Sequence, residues 1–227
     1  MRLHNALHGY PEPKEPRYVS PSLRTIQHRI VATYKDERFY DGERIYGHGG
    51  LKYDGRWLPL AKNMVAEYGL GPGASILHLG AEKGFLLHDF RLVDPALDVW
   101  GLETTSYPID HALPDVKDRI KLGEFDQLPF RDKQFDLVIA IGPVYTLNLT
   151  GAIKVLKEIE RVGKGKSFIT LASYDTHEAY WLFKYWTLLS GVILSEPEWL
   201  EVLRHSGFNG DYWFVNARSL KLILKED

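Results

Sequence analysis

The chain has 227 residues, 44% of them hydrophobic and 26% charged, a composition that excludes a disordered chain and is long enough for one large core with appendages. Twenty-eight basic residues against 30 acidic ones leave a net charge of −2, which argues against a protein that coats nucleic acid or anionic lipid. The absence of cysteine removes disulfides, thiolate catalysis and Cys-ligated metal, and fits a cytoplasmic location.

Residues 1–16 lack an apolar h-region and read as an extended, proline-rich arm rather than a signal peptide, and no run of 18 apolar residues predicts a membrane span. Ser22 is placed to cap a first helix with Ile26, Ile30 and Val31 on its apolar positions. The run Tyr46-Gly47-His48-Gly49-Gly50, then Tyr53-Asp54-Gly55-Arg56-Trp57, breaks that helical texture, and a second helix is expected from Trp57 to Tyr68. The break at residues 69–73 divides an N-terminal region, 1–69, from a core domain, 70–227.

From residue 74 to 173 short apolar runs alternate with helical or loop segments, at Ser75–Leu79, Asp98–Leu102, Arg119–Leu122, Phe135–Ile141 and Ser167–Leu171. That rhythm predicts successive βα units and a mainly parallel sheet. A helix is expected at Ala152–Val162, and Ser195-Glu196-Pro197-Glu198 has the form of a capped helix start. The aromatic segment from Glu178 to Leu189 reads first as a helix packed on the core, second as a lid or acceptor wall, third as a dimer surface. Asp211–Val215 and Leu220–Leu224 read as an antiparallel hairpin at the sheet edge.

Four places carry chemistry. The strand Ile76–Leu79 runs into Gly80-Ala81-Glu82-Lys83-Gly84 and then a helix, a turn that brings a ligand against bare backbone and free helix N–H groups. Glu103, with Thr104 beside it, ends the next strand, where an acidic side chain binds a ribose diol in nucleotide-binding βαβ units. The third is Gly123-Glu124-Phe125-Asp126-Gln127-Leu128-Pro129-Phe130, followed by Phe135-Asp136-Leu137-Val138, and the fourth is Ile141-Gly142-Pro143-Val144-Tyr145.

Together these segments resemble the class I S-adenosylmethionine-dependent methyltransferases, over about residues 70–224. The resemblance implies a Rossmann-like α/β fold with a seven-stranded, mostly parallel sheet in the order 3-2-1-4-5-7-6, helices on both faces and an N-terminal helical extension. It implies S-adenosylmethionine (SAM) as cofactor, with Gly80, Ala81 and Gly84 against its methionine part and Glu103 on its ribose. Glu124 would face the adenine amine, the Phe125 backbone the ring nitrogen, and Gly142 and Tyr145 the methyl-transfer site. Two positions depart from the pattern: His78 stands where an acidic residue is usual and Glu82 where a glycine is usual. A neutral His78 can accept a hydrogen bond from the cofactor amine, and Glu82 repels the cofactor carboxylate unless it turns to the ammonium.

The Gly/Tyr segment also resembles one in a group of bacterial methyltransferases associated with surface-polysaccharide biosynthesis, which suggests a sugar or nucleotide-linked small acceptor for O- or N-methylation. Tyr46, His48, Tyr53, Arg56 and Tyr174 are candidate lid or substrate residues, and Tyr145 and His177 lead a set of candidate bases that includes Asp175. No metal is expected. The expected partners are a small-molecule substrate and a second copy in a homodimer, with neither nucleic acid nor membrane. A catalytically silent methyltransferase-like binding or partner subunit is the second reading, and a nucleic-acid or protein methyltransferase the third.

Overall fold

The computed structural model describes residues 1–225. The N-terminal region holds two short strands, β1 (Arg2–Leu3) and β2 (Arg17–Val19), and three helices, α1 (Ile26–Thr33), α2 (Glu37–Tyr40) and α3 (Leu58–Glu67). Thr25, not Ser22, caps α1: its side chain accepts from the His28 N–H, and the His28 ring accepts from the Thr25 N–H in return. Ile26 and Ile30 are exposed, so that helix does not turn the expected apolar face inward.

The alternating pattern then appears as expected, through β3 (Ser75–Leu79), α4 (Phe85–Val93), β4 (Asp98–Glu103), α5 (Ser106–Asp110) and β5 (Ile120–Leu122). It continues with β6 (Leu137–Ala140), α6 (Pro143–Thr146), α7 (Leu149–Val162), β7 (Ser167–Tyr174) and α8 (His177–Trp186). The chain closes with β8 (Leu194–Ser195), α9 (Glu196–Ser206), β9 (Asp211–Val215) and β10 (Leu222–Leu224). The capping box before α9 forms as the sequence predicts, and Gly207 ends that helix in the left-handed conformation.

The main sheet runs β5-β4-β3-β6-β7-β9-β1, with β8 pairing the far end of β7. Numbered by the core strands, its first five positions follow the expected 3-2-1-4-5. Beyond them β9 lies beside β7 and parallel to it, with Phe168 opposite Asp211 and Ala172 opposite Val215. The N-terminal β1 closes that edge. The expected hairpin is corrected here: β10 leaves the sheet and pairs in parallel with β2, Leu222 opposite Arg17.

The strands are apolar on both faces because helices cover both. Leu77, Val138, Ala140, Ile169 and Leu171 face α7 and α9, with Leu156, Ile159, Trp199 and Leu203 packed against them. Ile76, Leu137, Ile139 and Phe168 face α3 and α4, against Leu60, Met64, Leu87 and Phe90. The small β2/β10 sheet rests on α8 through Val19, Leu222, Ala179, Leu182 and Tyr185. Among the described residues no helix is long and apolar enough to cross a membrane.

Candidate active site

The sheet order reverses between β3 and β6, and a crevice opens there beyond the strand ends, as in other open α/β sheets. It holds a cavity of about 280 Å³. Four strand-end segments supply its floor: Gly80 after β3, Glu103 at the end of β4, Phe125 after β5, and Ile141, Gly142 and Tyr145 after β6. Gly80 has φ +71, and a Cβ there would stand 2.8 Å from Pro143 Cγ, so the backbone is bare where the loops after β3 and β6 converge.

Gly84 begins α4 with φ +78, and a Cβ there would come within 2.7 Å of Val116. Its role is close packing, and neither it nor the buried Ala81 lines the cavity. Ala81 packs against Gly101, where a Cβ would approach within 2.6 Å of the Ala81 methyl.

Glu103 is 1% exposed. Its Oε1 accepts from the Glu82 N–H at 2.5 Å and its Oε2 from the Thr104 N–H at 3.3 Å. Burial pushes its carboxyl up to about 7, against the pull of Lys35 and the two backbone bonds. Lys35 donates to the Thr104 hydroxyl at 3.2 Å and stands 5.4 Å from the centre of the Phe125 ring. A carboxylate held at the end of β4 by two amides is a ready acceptor for a pair of hydroxyls.

The two departures in the glycine-rich turn have separate physical solutions. His78 is buried in β3, neither ring nitrogen has a partner, and burial holds it down to about 4, so it is a neutral imidazole. Glu82 adopts φ +52, and its carboxylate meets His48 Nε2 at 3.0 Å. That contact, aided by Lys35, keeps Glu82 below the usual carboxylate range despite burial, and it raises His48. The carboxylate that the sequence sets against the cofactor carboxylate is thus turned onto His48 of the N-terminal loop.

That loop forms the outer wall. Tyr40 is buried and stacks on His48 with ring centres 5.5 Å apart and planes 4° apart, and on Tyr107 at 6.0 Å. Lys83 Nζ donates to both oxygens of Asp41, at 2.6 and 2.7 Å, and to the Leu51 carbonyl at 3.0 Å, while the Tyr107 hydroxyl donates to Asp41 at 2.8 Å. The turn after β3 and the loop over it are therefore clamped together. Arg24, Lys35, Phe39, Arg44 and Gly47 join this wall, and Trp186 to Leu189 close the far side.

Of the residues named from the sequence, the structure brings Gly80, Glu82, Glu103, Phe125, Gly142, Tyr145 and His48 to the cavity. Thr104 sits at its edge through Lys35. Glu124 is exposed and outside it. His177 is on the surface, accepting from the Trp181 indole at 2.9 Å, and does not reach the cavity. Tyr174 packs on Tyr180, Tyr46 on His28, Tyr53 donates to Asp89 at 2.5 Å, and Arg56 pairs with Asp54, all away from the cavity. Arg24, Lys35, Phe39, Tyr40 and Arg44 were not anticipated; aromatic and basic residues beside a glycine-rich break were their only signal. Burial raises the Tyr145 hydroxyl to about 12, so it is protonated at neutral pH.

Residues 77–171 match a family model described as "Methyltransferase domain". No curated protein matches the sequence. Among solved structures, the fold is similar to that of the YcgJ protein from Bacillus subtilis (TM-score 0.54, 18% identity, covering 64% of this chain and 66% of that one). It is similar to a Bacillus halodurans protein assigned as a methyltransferase (0.52, 15%, 65% and 68%). It is also similar to a chain in the complex between the Haloferax volcanii Trm112 methyltransferase activator and a protein assigned as a methyltransferase (0.52, 23%, 65% and 66%). This chain spans about two thirds of the length of each. The chain shares the Rossmann-like fold of these structures, and the stretch matching the methyltransferase model spans β3 to β7.

Proposed function

We propose that this chain, built on a class I methyltransferase domain, moves a methyl group from SAM to a small-molecule acceptor by O- or N-methylation. The observation that carries the reading is the convergence of Gly80, Glu103, Phe125, Gly142 and Tyr145 on one cavity at the switch point of the sheet. The residues present fit the cofactor. Glu103 offers a buried carboxylate for the ribose hydroxyls, Gly80 a bare backbone, and Phe125 an apolar face for the base. His78, buried in β3 and outside the cavity lining, is not placed to meet the cofactor amine.

When bound, SAM supplies an activated methyl on its sulfonium. The protein's own work is alignment and exclusion of water. The wall of Tyr40, His48 and Arg44 covers one side, and Tyr145, Thr146 and Trp186 border the end where an acceptor enters. Tyr145, being protonated, orients an acceptor lone pair by donating a hydrogen bond rather than by removing a proton. A sugar or nucleotide-linked acceptor, as in surface-polysaccharide biosynthesis, suits this polar and aromatic border.

The second reading is a catalytically silent binding or partner subunit. It is favoured by His78, whose imidazole carries no negative charge where the family places an acid. Isothermal titration with S-adenosylhomocysteine (SAH) decides between a working cofactor site and none. Micromolar binding that falls at least tenfold in Glu103→Ala supports the first reading, and no heat at millimolar ligand overturns it.

A further inference from the structure

Beside the cofactor crevice, a second cavity of about 370 Å³ is lined by Arg17, Tyr18, Val19, Leu23, Arg24, Arg44 and Trp186. It contains none of the strand-end residues, yet it shares Arg24, Arg44 and Trp186 with the first cavity. Of the shared residues, Arg24 and Arg44 belong to the outer wall of the first cavity, and Trp186 lines it together with Tyr145 and Thr146. Three guanidinium-bearing residues therefore face one space that adjoins the first cavity.

These arginines differ from others in the chain. Arg2, Arg38, Arg56, Arg119 and Arg161 each pair with a carboxylate at 3.0 Å or less. Among the described residues, Arg17, Arg24 and Arg44 form no ion pair and no acidic side chain lines their cavity. Arg24 stands 5.9 Å from the centre of the Trp186 ring, and Arg44 donates to the Gly47 carbonyl. Desolvation and the neighbouring Arg44, Arg29 and Arg17 lower Arg24 to about 10, and desolvation with Arg17 also lowers Arg44. Like charges gathered without a counter-charge repel one another, and a bound dianion removes that cost. Guanidinium groups match phosphate oxygens in geometry as well as charge.

We propose that Arg17, Arg24 and Arg44 form the anion subsite of the methyl acceptor, and that the acceptor carries a phosphate or diphosphate group beside the sugar or other moiety that is methylated. This rests on the methyltransferase reading and narrows its substrate class. The anion is held in the second cavity, and the atom to be methylated reaches past Trp186 toward Tyr145. Arg29 supports the subsite indirectly: it donates to the Thr187 and Lys184 carbonyls, at 2.5 and 2.8 Å, and so ties α1 to the end of α8.

The test is calorimetric titration of inorganic phosphate, pyrophosphate and uridine diphosphate into metal-free protein saturated with SAH, compared with Arg17→Gln, which alters only the second cavity. The expected result is pyrophosphate or uridine diphosphate binding that weakens at least tenfold in Arg17→Gln, while SAH affinity stays within twofold. Tighter binding of uridine diphosphate than pyrophosphate assigns a nucleotide-linked source, and equal binding assigns the phosphate group alone; both uphold the subsite. Retained SAH binding shows that a variant is folded. Absence of binding by all three probes, or equal binding by wild type and Arg17→Gln, overturns the proposal. A matching loss of SAH affinity overturns it too, since the guanidinium groups would then serve the cofactor carboxylate. If wild-type protein fails to bind SAH, the methyltransferase reading fails instead, and the anion titrations are read on the free protein.

Discussion

The Lys83 ammonium lies 2.6 and 2.7 Å from the two carboxylate oxygens of Asp41, joining the turn after β3 to the loop that covers it. Lys83 is nearly buried, with 9% of its side chain exposed, and Asp41 retains 28%. Removing one partner leaves the other charge poorly solvated. Lys83→Met should therefore lower stability by about 2 kcal/mol, less than for a fully buried pair because Asp41 still meets water. It should also weaken SAH binding, since the wall carrying Tyr40 and His48 loses its anchor. Chemical denaturation and calorimetry on the same variant check both effects.

Glu103 gives a pH dependence with a defined sign. Its carboxyl is raised to about 7 by burial, and hydroxyl groups donate to the ionised form. Cofactor affinity should rise as pH increases from 6 to 8 and level off above that, changing by about tenfold per unit on the acid side. Glu103→Gln should remove this dependence and weaken binding by about 10- to 100-fold. A wild-type affinity that is flat from pH 6 to 8 would contradict the assignment of this carboxylate to the ribose.

His78 governs stability in acid. Its folded-state value, about 4, lies below the ordinary 6.5, so the unfolded chain binds a proton that the folded chain does not. Its contribution is intact above pH 6.5 and is lost as pH falls toward 4, amounting to about 3 kcal/mol over that interval. Urea midpoints of the wild type should drop between pH 6.5 and 4.5 more steeply than those of His78→Asn.

Tyr145 separates positioning from base catalysis. Because burial raises its hydroxyl to about 12, Tyr145→Phe should lower turnover about 10-fold with little change in SAH affinity. The acid limb of the pH–rate profile should stay where it is. A limb that disappears with the hydroxyl would make Tyr145 the base.

The sequence made the strand-end half of the site legible because its chemistry sits where periodicity changes. Ile76–Leu79 and Leu137–Ala140 are continuous apolar runs, and the residues that follow them must be turns at the same edge of a parallel sheet. The N-terminal wall gave no such signal. Lys35, Tyr40 and Arg44 lie in short helices and turns with no repeating pattern, and their positions depend on tertiary contacts such as Asp41 to Lys83. The hairpin expectation failed for a local reason. Residues 216–221 close a tight turn, with the Leu222 N–H bonded to the Ala217 carbonyl and Lys221 at φ +53, and this aims β10 toward β2 instead of back along β9. His177 failed because Thr176 caps α8 and starts the helix at the surface, turning that imidazole toward Trp181.

The pairing of β1 with β9 and of β2 with β10 bears on how the protein is made. Arg2 lies opposite Asp211, and Arg17 opposite Leu222, so the first strands find their partners only among the last. On the ribosome, β3 to β7 can assemble while the N-terminal segment waits without its sheet neighbours. The edge strand β1 and the small β2/β10 sheet settle only when synthesis is nearly complete, whereas the wall around Asp41 and His48 can already dock on Lys83, Tyr107 and Glu82.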